Sequence, residues 1–184
     1  MTEDVDLAAL AAVGRAFCSA CESINDDQWA LPSNLLDWMV QDLVDHVVGG
    51  NWYSVAVLGG ASSDEAIRHA MNSFNGPTGL TVVLRSTHEL LAAFESPGVL
   101  DQHHDHVLGQ IGGRTMLKIR VHEMAVHAWD VATSIGVDSG MPTDVIEWIV
   151  AELASPDSTS LASFDIEHVE VLDQAGYLRV FGRI

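Results

Sequence analysis

The segment RVHEMAVHAWD, residues 120–130, carries charged and imidazole side chains where the surrounding pattern predicts a buried helix. Glu123 and His127 stand four residues apart, so they share one face of that helix. A carboxylate that is buried without a cation or strong donors costs several kcal/mol. Because packing alone rarely calls for such a pair, the segment indicates either a metal site or an internal ion-pair network.

The pair belongs to a polar row that continues along the helix at alternating steps of four and three. The rows on both sides are mostly apolar, so the polar row lies between two rows that favour burial. On a second predicted helix, His46 is the one imidazole in a largely apolar row, and we expect it to face inward too. The members of the polar row are Met116, Arg120, Glu123, His127, Asp130 and Ser134.

Two imidazoles and one carboxylate are a suitable ligand set for zinc or a similar divalent ion. Three protein ligands leave one coordination position for water or substrate, as in catalytic rather than structural sites. The candidate ligands are His46, Glu123 and His127. We expect Asp130 to orient an imidazole and Arg120 to meet an anionic substrate group.

The alternative is a network in which Glu123 pairs with Arg120 and His127, while His46 is an ordinary hydrogen-bonded core histidine. Spacing alone favours this alternative, because one sequence does not show that distant segments meet. A zincin-type HExxH motif does not fit. His122 and His127 lie about 140° apart around the helix, so His122 is expected to be peripheral.

A second histidine cluster is the stretch HHDH, residues 103–106. If the chain is extended there, His104 and His106 share one face. Exposed loop histidines are common, so the pattern favours a solvated position or one at the rim of a site. An adventitious metal site is the alternative.

The two cysteines and most tryptophans are predicted to be packing residues. Cys18 and Cys21 lie well inside a predicted helix, whereas the reactive thiol of a redox motif sits at a helix N-terminus. We therefore favour small core residues over a redox or metal-linked pair. Four tryptophans are expected to pack the core, with one of them lining a pocket as the alternative: Trp38, Trp52, Trp129 and Trp148.

Hydrophobic spacing predicts an all-α fold, a four-helix bundle with additional short helices, and a single domain over residues 1–184. The turn-rich stretch 96–113 is compatible with a small hairpin, and the tail from residue 164 is weakly patterned. A bend is expected at Gly49 and Gly50. The predicted helices cover residues 6–24, 32–58, 63–74, 80–94 and 114–135, and another starts at Pro142.

The charge balance limits the classes of partner. Eight Lys and Arg residues against 26 Asp and Glu residues give a net charge of -18, which repels phosphate backbones and anionic lipids. Neither nucleic acid nor a membrane is expected as a partner. The acidic N-terminus lacks the positive charge of a targeting signal, and no apolar run reaches the roughly 18–20 residues of a membrane span. We therefore expect a cytoplasmic protein.

Two separated motifs resemble the DinB-like, mycothiol-dependent maleylpyruvate isomerase N-terminal family. WMVQDLVDHVVGGN is similar to that family's Trp-x-Val-x-Asp-Leu-x-x-His segment, and EMAVHAWDVATSIG to its Glu-x-x-x-His-x-x-Asp segment; the ending LRVFGR is similar to its closing Gly-Arg. The resemblance implies a divalent metal, usually zinc, on His46, Glu123 and His127. It also implies that the open metal position holds the thiol of mycothiol or another small thiol as thiolate.

Two departures from the family pattern shape the expectations. Met39 stands where the family has a Ser or Thr cap, so the second helix is expected to begin earlier, with Asp37 capping it. The isomerases also carry a C-terminal domain that contributes to their active site. The sequence leaves no room for that domain, which argues against their particular reaction.

The predicted function is that of a metal-dependent thiol transferase or isomerase acting on a small electrophile. Arg120 and Asp130 are assigned to catalysis, and Arg85 and Trp129 to binding the cofactor, with Arg85 as the other candidate for a substrate anion. The alternative is a non-catalytic bundle that binds a metal or small ligand. Association into a homodimer is left open.

Overall fold

The computed structural model describes residues 4–74, 76 and 78–154 of the chain. The helices are α1 (Val5–Glu22), α2 (Val40–Leu58), α3 (Ser63–Ser73), α4 (Leu80–Phe94), α5 (Gly113–Ile135) and α6 (Thr143–Ala154). A single 3-10 turn, Val99–Asp101, precedes a two-stranded antiparallel hairpin, β1 (His103–His106) and β2 (Gly109–Gly112). No helix in these ranges is both long and apolar enough to cross a membrane.

Helices α1, α2, α4 and α5 form the predicted bundle. α1 packs on α4 and α5, and α2 packs on the same two helices, while α3 lies against α2 and α6 against α1. Burying the apolar faces of such helices is the main favourable contribution to the fold. The prediction of an all-α bundle with short extra elements is confirmed. Its core includes the fully buried side chains of Leu10, Phe17, Leu43, Leu90, Leu117 and Met124.

The expected early start of α2 is wrong. The helix begins at Val40, and Met39 is its N-cap residue, whose backbone N–H donates to the Asp42 carboxylate at 2.9 Å. Upstream, Pro32 and Met39 pair as an antiparallel bridge. Asp37 has a positive φ of 65°, which suits a turn and not a helix cap. Local hydrogen bonds of the turn therefore fix the start of α2 at Val40 and not earlier. From there α2 continues through Gly49 and Gly50.

The hairpin that the turn-rich stretch allowed is present. His104 pairs with Ile111, and the turn uses Gly109, whose φ is 97°. His104 is buried, and its Nε2 lies 2.9 Å from the Val99 carbonyl oxygen. The expectation of a solvated or rim position is therefore wrong for His104. A local carbonyl group provides a hydrogen-bond partner for Nε2, which lets this side of the ring be buried.

His122 is not peripheral. It is fully buried, and its Nε2 lies 3.0 Å from the carboxylate of Glu152 on α6. The helical wheel of α5 could not reveal this contact, because α6 supplies the partner. Nearby, the indole N–H of Trp148 donates to Asp6 at 3.1 Å, which ties α6 to the start of α1.

The two cysteines are free thiols inside the bundle. Cys21 is buried, and the Cys18 thiol donates to the Thr87 hydroxyl at 3.6 Å. Burial raises the pKa of both thiols, so both are protonated at neutral pH and poor nucleophiles. This environment supports the packing interpretation. The expected weakly patterned tail lies outside the described residues.

Candidate metal centre

Side chains from α2 and α5 converge at one end of a cavity. Nε2 of His46 lies 3.3 Å from Oε2 of Glu123, and Nε2 of His127 lies 3.5 Å from the same oxygen. One ligand atom of each residue lies within 4.8 Å of the others. The two helices therefore bring together the imidazole of residue 46 and the pair that the α5 row contains.

These separations fit a common ion better than direct hydrogen bonds. Hydrogen bonds between a ring N–H and a carboxylate are normally about 2.7–2.9 Å long, and both Glu123 separations exceed that. Zinc bonds of about 2.0–2.2 Å place the corners of a tetrahedron about 3.4 Å apart. The two His–Glu separations match that edge length. The donor set and its spacing therefore suit zinc or a similar divalent ion.

Asp130 orients His127, one of the three candidate ligands, through a hydrogen bond. Its Oδ2 accepts a 2.9 Å hydrogen bond from Nδ1 of His127, and its Oδ1 accepts a 2.8 Å hydrogen bond from the side-chain amide of Asn34. Asp130 is fully buried. A hydrogen on Nδ1 leaves the Nε2 lone pair of a neutral His127 available to an ion, as in carboxylate–histidine–metal arrangements.

The electrostatics of the cluster favour the charged forms of Glu123 and His127. Burial raises the pKa of Glu123, but the contacts of its carboxylate with His127 and His46, together with the charges of His127 and Arg120, outweigh burial and hold that pKa far below its usual range. Burial lowers the pKa of His127. The hydrogen bond to Asp130, the contact with Glu123 and the negative charges of both carboxylates outweigh burial and raise that pKa above the ordinary value. Glu123 is therefore ionised and can bind a cation. A metal ion at this position would compete with the proton on Nε2 of His127.

His46 differs from the expectation of an inward-facing residue. Its side chain is 44% exposed, whereas that of His127 is 8% exposed. The ring of Trp38 contacts it edge-on, with 5.2 Å between ring centroids. His46 thus lies at the mouth of the cluster, which gives a ligand from solvent access to the ion position.

A cavity of about 310 Å³ opens beside the cluster. His46 and Glu123 lie at one end of it, and Arg120 lines the same space. Mostly apolar side chains complete the wall. The remaining lining residues are Gly50, Tyr53, Ser54, Ile67, His106, Val107, Leu108 and Ile119.

Arg120 is fixed by a chain of buried hydrogen bonds across three helices. Its Nη2 donates to Oδ1 of Asn51 at 2.7 Å, and Nδ2 of Asn51 donates to the Ser86 hydroxyl at 3.2 Å. The α5 row places Arg120 next to Glu123, but the strong hydrogen bond of Arg120 goes to α2. Asn51 and Asn34 were not singled out from the sequence, since neither belongs to the polar row.

Two residues assigned to cofactor binding lie away from this cavity. Arg85 is on the exposed side of α4, where its guanidinium stacks on Trp52 at 5.3 Å and pairs with Glu89 at 3.8 Å. Trp129 is half-buried on α5. Neither residue lines the cavity beside the three candidate ligands.

Solved structures show the same fold. Crystal structures of the mycothiol-dependent maleylpyruvate isomerase and of a histidine-to-alanine mutant of it match with a TM-score of 0.63 each. The matches cover 84% of this chain and 70% of those chains, at 15% and 14% identity.

Sequence comparisons give closer relatives and the family. Two uncharacterized proteins from two strains of Mycobacterium tuberculosis are each 26% identical to the chain, over 76% of its length and 72% of theirs. Residues 10–132 match the family described as the mycothiol maleylpyruvate isomerase N-terminal domain. That range is more than half of the chain and contains all three candidate ligands. The chain therefore belongs to the mycothiol maleylpyruvate isomerase N-terminal domain family.

Proposed function

We propose that His46, Glu123 and His127 bind one divalent metal ion, zinc being the first candidate. The observation that carries this proposal is the approach of their ligand atoms to within 4.8 Å at the end of an open cavity. Three ligands leave a coordination position for an exogenous group. The family match and the fold relatives support a small thiol, such as mycothiol, in that position.

The proposed reaction is addition of the thiol to a small electrophile, as a transferase or an isomerase. When bound, the ion would supply a positive charge that lowers the pKa of a thiol at the open position. Addition of R–SH to an activated C=C bond breaks the S–H bond and the π bond and forms one C–S and one C–H bond, so it needs no oxidant or reductant. An isomerase would reverse this addition after rotation about the C–C bond that had been the double bond.

The chain's own residues have separable roles in this proposal. Asp130 accepts the Nδ1 hydrogen of His127 and thereby fixes the ring so that Nε2 remains available. Arg120 places a positive charge in the cavity wall, near Glu123. The mostly apolar wall lowers the local dielectric constant on its side of the cavity, which strengthens these electrostatic interactions.

A conjugation screen tests the function. Zinc-loaded protein is incubated with mycothiol or a simple thiol and a panel of electrophiles, and the loss of free thiol is followed. Turnover is expected to require thiol and metal together. It should fall to background in Glu123→Gln, and Glu147→Gln on the exposed face of α6 serves as the matched control. Metal binding without turnover across the panel would favour the non-catalytic binding protein.

A further inference from the structure

Among the described residues that line the cavity beside the cluster, Arg120 is the permanently charged cation. Arg120 is only 7% exposed, so its charge is held in a largely dry environment. Burial lowers the pKa of Arg120, opposed by the charge of Glu123, but a guanidinium stays protonated in proteins. Such a charge interacts strongly with an anion that enters the cavity.

Much of the donor capacity of Arg120 is unused. Both of its described hydrogen bonds come from Nη2, to Asn51 at 2.7 Å and to the Val47 carbonyl oxygen at 3.4 Å. Nε is buried and has no partner among the described residues. Nη1 lies over Gly50, where an added Cβ would come within 2.5 Å of it. The missing side chain of Gly50 therefore keeps space for the guanidinium at the cavity wall.

His106 brings a second hydrogen-bond donor to the same cavity. Its Nδ1 accepts the backbone N–H of Leu108 at 3.2 Å, which places the ring hydrogen on Nε2. Burial, and then the charge of Arg120, lower the pKa of His106, so the ring is neutral at neutral pH. A neutral Nε2–H donor suits an anion without adding a second full charge.

The hairpin that carries His106 is fixed to α2. The hydroxyl of Tyr53 accepts the backbone N–H of Val107 at 2.9 Å, and it also lies 3.2 Å from the Ser63 hydroxyl. The rings of Tyr53 and His106 are in edge-on contact at 5.3 Å. The imidazole of the HHDH stretch is therefore a positioned part of the cavity wall.

We propose that Arg120 and His106 form a subsite for the carboxylate of a small, mostly apolar monocarboxylic acid. The inference rests on the proposed function, and it narrows the substrate class to electrophilic monocarboxylic acids. A single guanidinium matches the charge of a single carboxylate, and Nη1, which makes no hydrogen bond to the described residues, is the nitrogen left to donate to it. The apolar body of the acid would lie on Ile67, Leu108 and Ile119, which line the same space.

The charges around the cavity support this choice of ligand. Glu123 and Asp130 are the carboxylates of the cluster, and a bound dication together with Arg120 would exceed their charge. A monoanion would therefore neutralise the site, whereas a phosphate dianion would leave it with an excess of negative charge. His46 and Glu123 line the same cavity as Arg120, so the acid and a thiol on the ion would share one space.

Calorimetric titration with hexanoate, and with hexanamide as its neutral analogue, tests the subsite. Both EDTA-treated and zinc-loaded protein are titrated. Hexanoate is expected to bind both forms and hexanamide much more weakly. Arg120→Met should weaken hexanoate binding about 10- to 100-fold. His106→Phe should weaken it about 3- to 10-fold, and His106→Gln, which keeps an N–H donor, less than that. Arg15→Met, on the exposed face of α1, should change nothing.

Each outcome decides the inference. Unchanged affinity in Arg120→Met and His106→Phe, or tighter binding of inorganic phosphate than of hexanoate, would overturn it. Binding that requires zinc and is insensitive to Arg120→Met would place the carboxylate on the ion and would also overturn it. If Arg120→Met does not fold, the two His106 variants decide. Arg120-dependent binding in protein that takes up no zinc would keep the subsite and refute the proposed function.

Discussion

Asn34 donates a 2.8 Å hydrogen bond from its side-chain amide to the buried carboxylate of Asp130. Asn34 lies in the loop between α1 and α2, whereas Asp130 is on α5 and holds His127. The backbone N–H of Asn34 also donates to the Ser134 hydroxyl at 3.0 Å. The loop therefore supports the candidate metal ligand His127 through Asp130.

Replacing Asn34 should weaken metal binding without abolishing it. Asn34→Ala removes one donor from Asp130, so the carboxylate and the His127 ring become less fixed. Loss of such supporting groups typically costs about 10- to 100-fold in metal affinity, and we expect the lower end, since the Asp130–His127 bond stays. Competition with a chromophoric chelator measures the change. Asn72→Ala, on the exposed part of α3, is the control, and equal affinities in both variants would refute this role.

Two adjacent glycines of α2 are expected to respond oppositely to alanine. At Gly49 the new Cβ would meet the Phe74 ring at 3.5 Å, an ordinary contact, so helix propensity should stabilise the fold by about 0.5–1 kcal/mol. At Gly50 the Cβ would come within 2.5 Å of Nη1 of Arg120 and displace the guanidinium. Gly50→Ala should therefore lack the stabilisation expected for Gly49→Ala, and it should weaken hexanoate binding. Urea unfolding and calorimetry measure both effects, and matching results for the two variants would contradict the packing at Gly50.

Hydrophobic spacing predicted the bundle because apolar residues recur at helical intervals along each of its four helices. The expected and observed bounds agree at both ends of α4, residues 80–94, and within one residue for α5. The same spacing identified the polar row with Glu123 and His127. It could not show that His46 lies beside them, because no local pattern reports how α2 packs on α5.

The start of α5 depends on a glycine. A Cβ on Gly113 would overlap the carbonyl oxygen of Val99, while its backbone N–H donates to the Gln102 carbonyl oxygen at 2.8 Å. Gly113→Ala should therefore lower the free energy of unfolding by about 1–3 kcal/mol. Gly112→Ala is the matched control, since its nearest neighbour, the Thr115 hydroxyl, would be 3.9 Å away. Chemical denaturation checks the difference, and equal stabilities would contradict the close approach.

An ion-pair cluster between α5 and the start of α1 should give a pH-dependent contribution to stability. Arg114 donates to Asp4 at 3.0 Å and to Asp6 at 2.8 Å. Its hydrogen bond to Asp4 outweighs burial and lowers the pKa of that carboxyl below 3.8. A lowered folded-state pKa stabilises the fold above the unfolded-state pKa, and this stabilisation is lost as pH falls through the folded-state pKa.

Arg114→Met tests that contribution. The variant should be less stable than the wild type by about 1 kcal/mol at neutral pH, since the pairs are partly exposed. The difference should shrink as pH falls below 3.8. Arg15→Met controls for the loss of one positive charge from a chain of net charge -18. Urea unfolding at a series of pH values measures the stability difference between Arg114→Met and the wild type. A difference that does not change with pH would contradict the pairing.

The sequence predicted which side chains share a face of one helix better than it predicted their contacts with residues from other segments. His122 was expected to be peripheral, but Glu152 on α6 satisfies its buried ring. His106 was expected at a solvated or rim position, with an adventitious metal site as the alternative, and it lines the cavity because the hairpin lies on α2. Asn34, which contacts Asp130, lies in the turn between Pro32 and Met39, the N-cap residue of α2. Each of these contacts depends on the path of a loop, which hydrophobic periodicity does not encode.

Metal content tests the central claim most directly. Protein is stripped with EDTA, exposed to zinc, freed of excess ion and measured by elemental analysis together with its far-UV circular dichroism. The wild type and Glu147→Gln are expected to retain about one equivalent, whereas Glu123→Gln and His46→Ala should retain much less while keeping the helical spectrum. A folded wild-type protein that retains no divalent ion, or equal retention in Glu123→Gln, would contradict the account.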